Sequence, residues 1–514
     1  MNIVELKNNL LSIHSSKNEL VDIKLNESTD VKVYPKSINE KDNSIFFIGK
    51  EGLEKSLYII EGTSNSSNKK FDGEKIGEGV KCCKLSSQNR RALQAEFDFL
   101  NPVTIGLKNS FGFGDRIGLA NAGHIRSLDI SDFAPVLTQQ SIRELTRTNR
   151  TADKVMDAAV WAVFQEGYKS GFGADADHLK TTEDIDRMVK AGYKMFTFDP
   201  SEYVENEADE YGTEKLLESM EKLPWDELEF SFTEAEAKYL SGKIEISDRL
   251  SIAPTKDELL KAYSKYGNAI AHIKRLYNHI KNNYSNYDYE IEISVDETES
   301  VTTPFEHFFF ASELNRLKIK FVSLAPRFIG DFEKGIDYKG DLNIFKQEYE
   351  KHLAITKYFG NYKISLHSGS DKFSVYKVIG SMKEAFTHVK TAGTSYLEAL
   401  KVTAIKQPEL FKEILDYAGS LYEEEKRTYH VSADINKLKP SSEYDDSDLE
   451  KLFDSDDIRQ ILHVTFGRIL TDTDEKGSYI FKDKVLRCLE ENEDTHYDIL
   501  VKHFHKHLVP FNNN

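Results

Sequence analysis

From Pro102 onward the chain repeats one pattern: a short apolar run, a polar loop, then a stretch with helical spacing. "SFGFGDRIG" opens the series, and "TADKVMDAAVWAVFQEGY" is its first long helix. "FGADADHLK" and the helix "TTEDIDRMVKAG" come next. The further runs are "YKMFTFDPSEY", "YEIEISVDETES", "IKFVSLAPRFI", "YKISLHSGS", "AFTHVKTAG" and "TYHVSADIN". Eight strands alternating with helices predict an α/β fold with a parallel sheet, and closure into a TIM-type (β/α)8 barrel is the economical solution. A doubly wound open sheet uses the same alternation. The polar residues favour the barrel, because each run gains Asp, His, Glu or Arg towards its C-terminal end, where barrels carry their active sites.

The flanks follow other patterns. Residues 1–100 hold the short strand-like runs "DVKVYP", "SIFFIG" and "SLYIIEG", broken by the polar, loop-like "TSNSSNKKFDGEK", and read as a mixed α/β N-terminal cap. Residues 101–440 read as the barrel, with an acidic helical insertion over 204–285. Residues 441–514 open on an acidic linker and continue as a helical C-terminal extension whose charges are solvated surface.

A net charge of -18 over 514 residues argues against nucleic acid or an anionic membrane as partner. No apolar run approaches the roughly 20 residues that span a bilayer, and the first residues show no signal-peptide pattern. Three cysteines, two of them adjacent, make a disulfide framework improbable and suit a reducing compartment. The expectation is a cytoplasmic, soluble protein with a small-molecule partner; a homo-oligomer is left open.

Strand alternation selects the inward side chains. It turns Asp175 and Asp177 inward with His178 at the loop, and likewise Thr197 and Asp199, then Glu292, Ser294 and Asp296 with Glu297 at the strand end. In "KISLHSGSDKFSVY", Ile364 and Leu366 face out, so His367 points in. In "TYHVSAD", His430, Ser432 and Asp434 share the inward face. Two neutral imidazoles with one or two carboxylates suit Zn²⁺, Mn²⁺, Fe²⁺ or a similar divalent ion such as Co²⁺ or Ni²⁺. The expected ligands are Glu297, His367 and His430, with Asp177 as a fourth ligand or a catalytic base. His178 serves equally as a ligand or as a loop hydrogen-bonding group. Arg116, Arg327 and Lys372 stand at strand ends or just beyond, where they suit a carboxylate of the substrate or neighbouring acids. The glycines of "GFGDRIG" fit a dinucleotide fingerprint poorly and are better read as allowing close backbone approach.

Together "FGFGDRIGLANAGHI", "GFGADADHLK", "SVDETESVTTPFEHFF", "LAPRFIGDFEKGIDY", "KISLHSGSDKFSVY" and "YHVSAD" resemble the tagaturonate/fructuronate epimerase family over residues 100–440. The resemblance implies a metal-dependent epimerase acting on a ketohexuronate, inverting C4 in ketose numbering; some relatives act on the neutral ketohexoses fructose and tagatose. A C4 proton is not alpha to the C2 carbonyl, so its removal yields no stabilised enolate. Retro-aldol cleavage of C3–C4 and re-addition is therefore preferred over transient oxidation. Asp177 or Asp296 would take the C4 hydroxyl proton. Arg116, Arg327 or Lys372 would hold the substrate carboxylate, with Asp115, His178, Ser370 and Asp371 as further substrate contacts. A metal-dependent aldolase, a barrel glycosidase and a sugar-binding regulatory barrel are the competing readings.

Overall fold

The computed structural model describes residues 3–13, 19–26, 29–61 and 70–512. The loop expected at "TSNSSNKKFDGEK" lies largely outside the described residues, up to position 69. The barrel strands are β1 (Ser110–Phe113), β2 (Ala134–Val136, resumed at Gln140–Ser141), β3 (Asp175–Leu179), β4 (Met195–Phe198), β5 (Glu290–Val295), β6 (Ser323–Pro326), β7 (Lys363–Leu366) and β8 (Thr387–Thr391). β3 to β8 pair in sequence, all parallel. β1 pairs with both β8 and β2. The two pieces of β2 reach β3 through a Val136–Gly173 bridge and the pair Gln140–Ala176, which closes the ring.

One strand lies elsewhere than expected. "TYHVSAD" is not in the ring: after a short 3-10 turn over Lys426–Thr428 it runs as coil. The same alternation that suggested a strand packs Tyr429, Val431 and Ala433 against the C-terminal helical cluster instead. The missing strand is β2, in which Pro135 and the break over residues 137–139 hide the period-2 signal.

Around the ring, the N-terminal cap is an antiparallel sheet of seven strands between Val21 and Lys84, preceded by a helix over Ile3–Ile13. The insertion between β4 and β5 carries three short helices, a hairpin (Ile244–Ser247 with Leu250–Ile252) and a long helix over Lys256–Asn283, started by a Thr255/Glu258 capping box. After β8 the chain is helical. Its last long helix, Glu493–Leu508, returns to the barrel, where Phe504 meets Phe111 and Phe113 at ring-centroid distances of 6.2 and 5.0 Å. The same helix offers Glu493 to Lys50, Lys55 and the Tyr34 hydroxyl of the cap. Burial alone would raise the Glu493 carboxyl; Lys55 and Lys50 hold it at about 2. Among the described residues no helix is long and apolar enough to cross a membrane.

Gly114 sits where β1 leaves the ring beside the end of β8, and a Cβ there would lie 2.5 Å from the Thr391 carbonyl oxygen and 2.7 Å from the Ala392 Cα. These are backbone atoms, so the seam must shift to admit a methyl group. Gly114→Ala is expected to lower unfolding stability by about 1–3 kcal/mol, measured by urea denaturation; an unchanged midpoint would show that the seam is loose.

Candidate active site

The C-terminal ends of the strands surround a cavity of about 230 Å³. Its floor is a buried ion network. Lys390, from β8, lies 2.7 Å from Asp175, 2.8 Å from Asp177 and 2.7 Å from Glu292, and it donates to the Thr197 hydroxyl at 2.6 Å. All five side chains are buried. Burial opposes the ammonium charge, yet the three carboxylates outweigh it and hold Lys390 well above the ordinary lysine value. In return Asp177 and Glu292 are held low despite burial, chiefly by Lys390. Lys390 shares its inward face with His388, and the alternation in "THVKT" was the signal for it.

Above this floor stand His367, His178 and Asp296. His367 follows β7 and engages Glu292 through Nε2 at 2.7 Å. Its Nδ1 is buried without a hydrogen-bond partner, although Asp296 Oδ1 lies 2.9 Å away. His178 occupies a left-handed backbone position (φ 52°) beside a register shift between Ala176 and Leu179. That irregularity, of the kind a bulge produces, brings Asp177 and His178 into one cavity although they are sequence neighbours. His178 Nδ1 engages Asp199 Oδ2 at 3.1 Å, and its Nε2 faces Asp177 Oδ1 at 3.7 Å.

His178, Asp296 and His367 each offer one ligand atom, all within 4.8 Å of one another, and could hold a metal ion. The donor chemistry fits. Each imidazole has its other nitrogen bound to a carboxylate, the arrangement that fixes the tautomer and orientation of metal-binding histidines. His367 Nδ1 and Asp296 Oδ1 stand 2.9 Å apart, near enough that both could ligate one divalent ion together with His178. Charge points the same way. Burial pulls both imidazoles down, but Asp177 and Asp199 hold His178 up at about 10, and Asp296 and Glu292 hold His367 up at about 9. The site demands positive charge, and one divalent ion satisfies it as two protons do.

The other expected residues divide. Glu297 is exposed and lines the cavity, and with His178 and Asp199 it forms a neighbouring group of ligand atoms. His430 lines the rim, but its side chain is 65% exposed, pairs with Asp331 at 3.2 Å and is outside the ligand groups, because its segment is not a barrel strand. Arg116 lines the cavity with its charge already matched by Glu144 at 2.9 Å, and it packs over the Phe466 ring. Arg327 and Ser370 line it too, Arg327 donating to the Thr298 carbonyl at 2.6 Å.

Three residues are occupied elsewhere. Asp115 accepts from the backbone N–H groups of Ile117, Gly118 and Ala120, fixing the loop after β1. Asp371 is buried with Arg459 at 2.8 Å and His503 at 3.0 Å. Lys372 donates to the carbonyls of Glu333, Ile336 and Ser370, and burial brings it down to about 7. None of the three lines the cavity. Gln139, Arg143, Lys334 and His463 do, though no strand pattern singled them out.

A family model described as tagaturonate epimerase matches residues 34–510. The chain belongs to the tagaturonate epimerase family. It is 41% identical over 484 residues to the tagaturonate/fructuronate epimerase of Thermotoga maritima, covering 93% of this chain and 96% of that protein. The fructuronate-tagaturonate epimerase of Cohnella laeviribosi, solved with one glycerol, superposes with a TM-score of 0.87 at 38% identity, over 94% of this chain and 96% of that one. Its native structure gives the same TM-score at 36% identity over 99% of both chains. The chain is thus an isomerase of the epimerase type, on the barrel expected from its sequence. The glycosidase, aldolase and regulatory readings give way to this membership.

Lys390→Met would leave the buried carboxylate of Asp175 with no cation in contact and those of Asp177 and Glu292 with only His178 and His367, and a cost of about 3–5 kcal/mol is expected. Burial and mutual repulsion would then raise their folded-state pKa values, so part of the loss should return as pH falls through those values. Urea denaturation at pH 7 and pH 5 measures both; equal stability of variant and wild type at pH 7 would refute the counter-ion role.

Proposed function

We propose that this cavity interconverts tagaturonate and fructuronate, inverting C4 by retro-aldol cleavage and re-addition, with a divalent ion held by His178, Asp296 and His367. The observation that carries the metal reading is the pair of imidazoles, each with one nitrogen engaged by a carboxylate (Glu292 or Asp199) and the other facing a cavity carboxylate, Asp296 at 2.9 Å or Asp177 at 3.7 Å. The substrates are those named for the relatives from Thermotoga maritima and Cohnella laeviribosi.

When bound, a divalent ion supplies Lewis-acid stabilisation of the negative charge that develops on the carbonyl side of the sugar. Asp177 takes the C4 hydroxyl proton. Its carboxylate is kept ionised by Lys390 and oriented by the Gln139 amide at 3.0 Å, so it accepts a proton from a fixed position. Loss of that proton lets the C3–C4 bond break, giving a three-carbon enediolate and a three-carbon aldehyde. Rotation of the aldehyde and re-addition to its other face invert C4. The new alkoxide needs a proton donor, and Glu297, exposed in the cavity lining, serves there by relaying a proton from solvent while Asp177 returns its own to solvent. Ser370 offers a hydroxyl to the substrate.

Metal-stripped and metal-restored enzyme, assayed with each uronate and read by NMR, should show metal-dependent appearance of the other epimer. Accumulated three-carbon fragments would overturn the re-addition step. Asp177→Asn is expected to lower kcat by about 10²–10⁴-fold, and retained turnover would remove Asp177 from the chemistry. In calorimetric titration with Mn²⁺ or Zn²⁺, His178→Ala and His367→Ala should lose the site and His430→Ala should keep it; loss confined to His430→Ala would reverse the assignment.

A further inference from the structure

Five cationic side chains line the cavity: Arg116, Arg143, Arg327, Lys334 and Lys390. Two are already matched by carboxylates, and a third is tied to the backbone. Arg116 is paired with Glu144, Lys390 with three carboxylates, and Arg327 is anchored on the Thr298 carbonyl. Lys334 and Arg143 differ. Lys334 donates to the Ser368 hydroxyl at 2.7 Å, and the Arg143 guanidinium stands 5.6 Å from the centre of the Tyr429 ring. Neither has a carboxylate within ion-pairing distance among the described residues.

The two also feel each other. Lys334 is pushed below the ordinary lysine value first by burial and then by the Arg143 charge. Carboxylates such as Glu297 and Glu144 act on both from beyond ion-pairing distance, and two cations that repel one another and face a cavity without a direct ion pair form a site that a contacting anion stabilises. A guanidinium offers a planar fork and an ammonium a point charge, the combination that suits a carboxylate. The elements that present them are independent: Arg143 rises from the helix after β2, and Lys334 from the loop after β6. The rim segment that includes Thr428 and Tyr429 stands beside Arg143 and also lines the cavity, so that rim is closed by chain and not by open solvent alone.

We propose that Arg143 and Lys334 together form the subsite for the substrate's terminal carboxylate, and so select sugar acids over neutral ketoses. The inference rests on the reading of the cavity as a uronate epimerase site. It replaces Lys372, whose ammonium is spent on backbone carbonyls, as the lysine of that subsite.

The test uses Arg143→Gln and Lys334→Met, with Arg143→Lys and Lys334→Arg as charge-conserving controls. Each neutral variant is expected to raise KM for tagaturonate and fructuronate at least ~10-fold, with kcat moving far less, because ground-state and transition-state binding are lost together. The charge-conserving variants should recover part of that loss. Calorimetric titration with either uronate and with fructose, which lacks the carboxylate, decides the point without turnover. Weaker uronate binding with fructose affinity preserved supports the subsite, even if the wild type fails to epimerise and the functional reading falls. Equal weakening towards fructose, or a uronate KM and Kd within about twofold of wild type in both neutral variants, would overturn it.

Discussion

An ammonium group buried at the centre of a ring of strands is the constraint on which the rest of this site depends. Lys390 stands among Asp175, Asp177 and Glu292, contributed by β3 and β5 on the side of the ring facing β8. None of these charges is tolerable alone in a dry interior. As a set they bring one positive charge against three negative ones, and the excess negative charge faces His367 and His178. Glu292 carries that excess outward by engaging His367, and Asp177 faces His178 Nε2 at 3.7 Å while Asp199 holds the other nitrogen of that ring. The floor therefore fixes both where the imidazoles stand and which nitrogens they turn to the cavity.

The upper part of the cavity is built differently, from segments that contribute no strand to the ring. Arg143 belongs to a helix started by the Ser141/Glu144 capping box, and the same Glu144 matches Arg116. His463 comes from a C-terminal helix, and residues 428–430 from the coil that follows a long C-terminal helix. The floor is a buried, mutually bonded ion network, whereas the walls carry the uncommitted groups. This division suits a reaction whose bond-breaking is confined to one end of a short sugar chain while the other end needs holding.

Much of the ring was legible because buried parallel strands with functional C-terminal ends carry two signals at once, an apolar outer face and polar inner positions. That logic placed Asp175, Asp177, Thr197, Glu292 and His367 inside, and the structure bonds all of them into one network. It failed where one signal was missing. β2 is two short pieces around a break, with Pro135 in the first, so no alternating run was long enough to notice. "TYHVSAD" had the alternation without the pairing, because an extended segment lying across helices buries every second residue too. His178 was ambiguous because the register shift beside it breaks the alternation on which the reading relied. Lys372 and Asp371 look like site residues in sequence, yet the loop folds them inward as backbone and helix anchors.

The bond from Glu493 to Lys50 and Lys55 has a consequence for how the protein is made. All eight strands of the ring lie before residue 392, so a ribosome has released the whole barrel while the last helix is still in its tunnel or unmade. At that moment the cap's two lysines lack their carboxylate, Phe111 and Phe113 lack Phe504, and His463 is only newly emerged. The nascent chain can close its barrel early and seat part of its cap through Arg90 on Asp153 and Asp157, but it cannot complete the cap's ion pairs or finish the cavity wall until the helix over Glu493–Leu508 has emerged. Chaperone capture of this enzyme should thus concentrate on nascent chains that end between the last strand and the final helix.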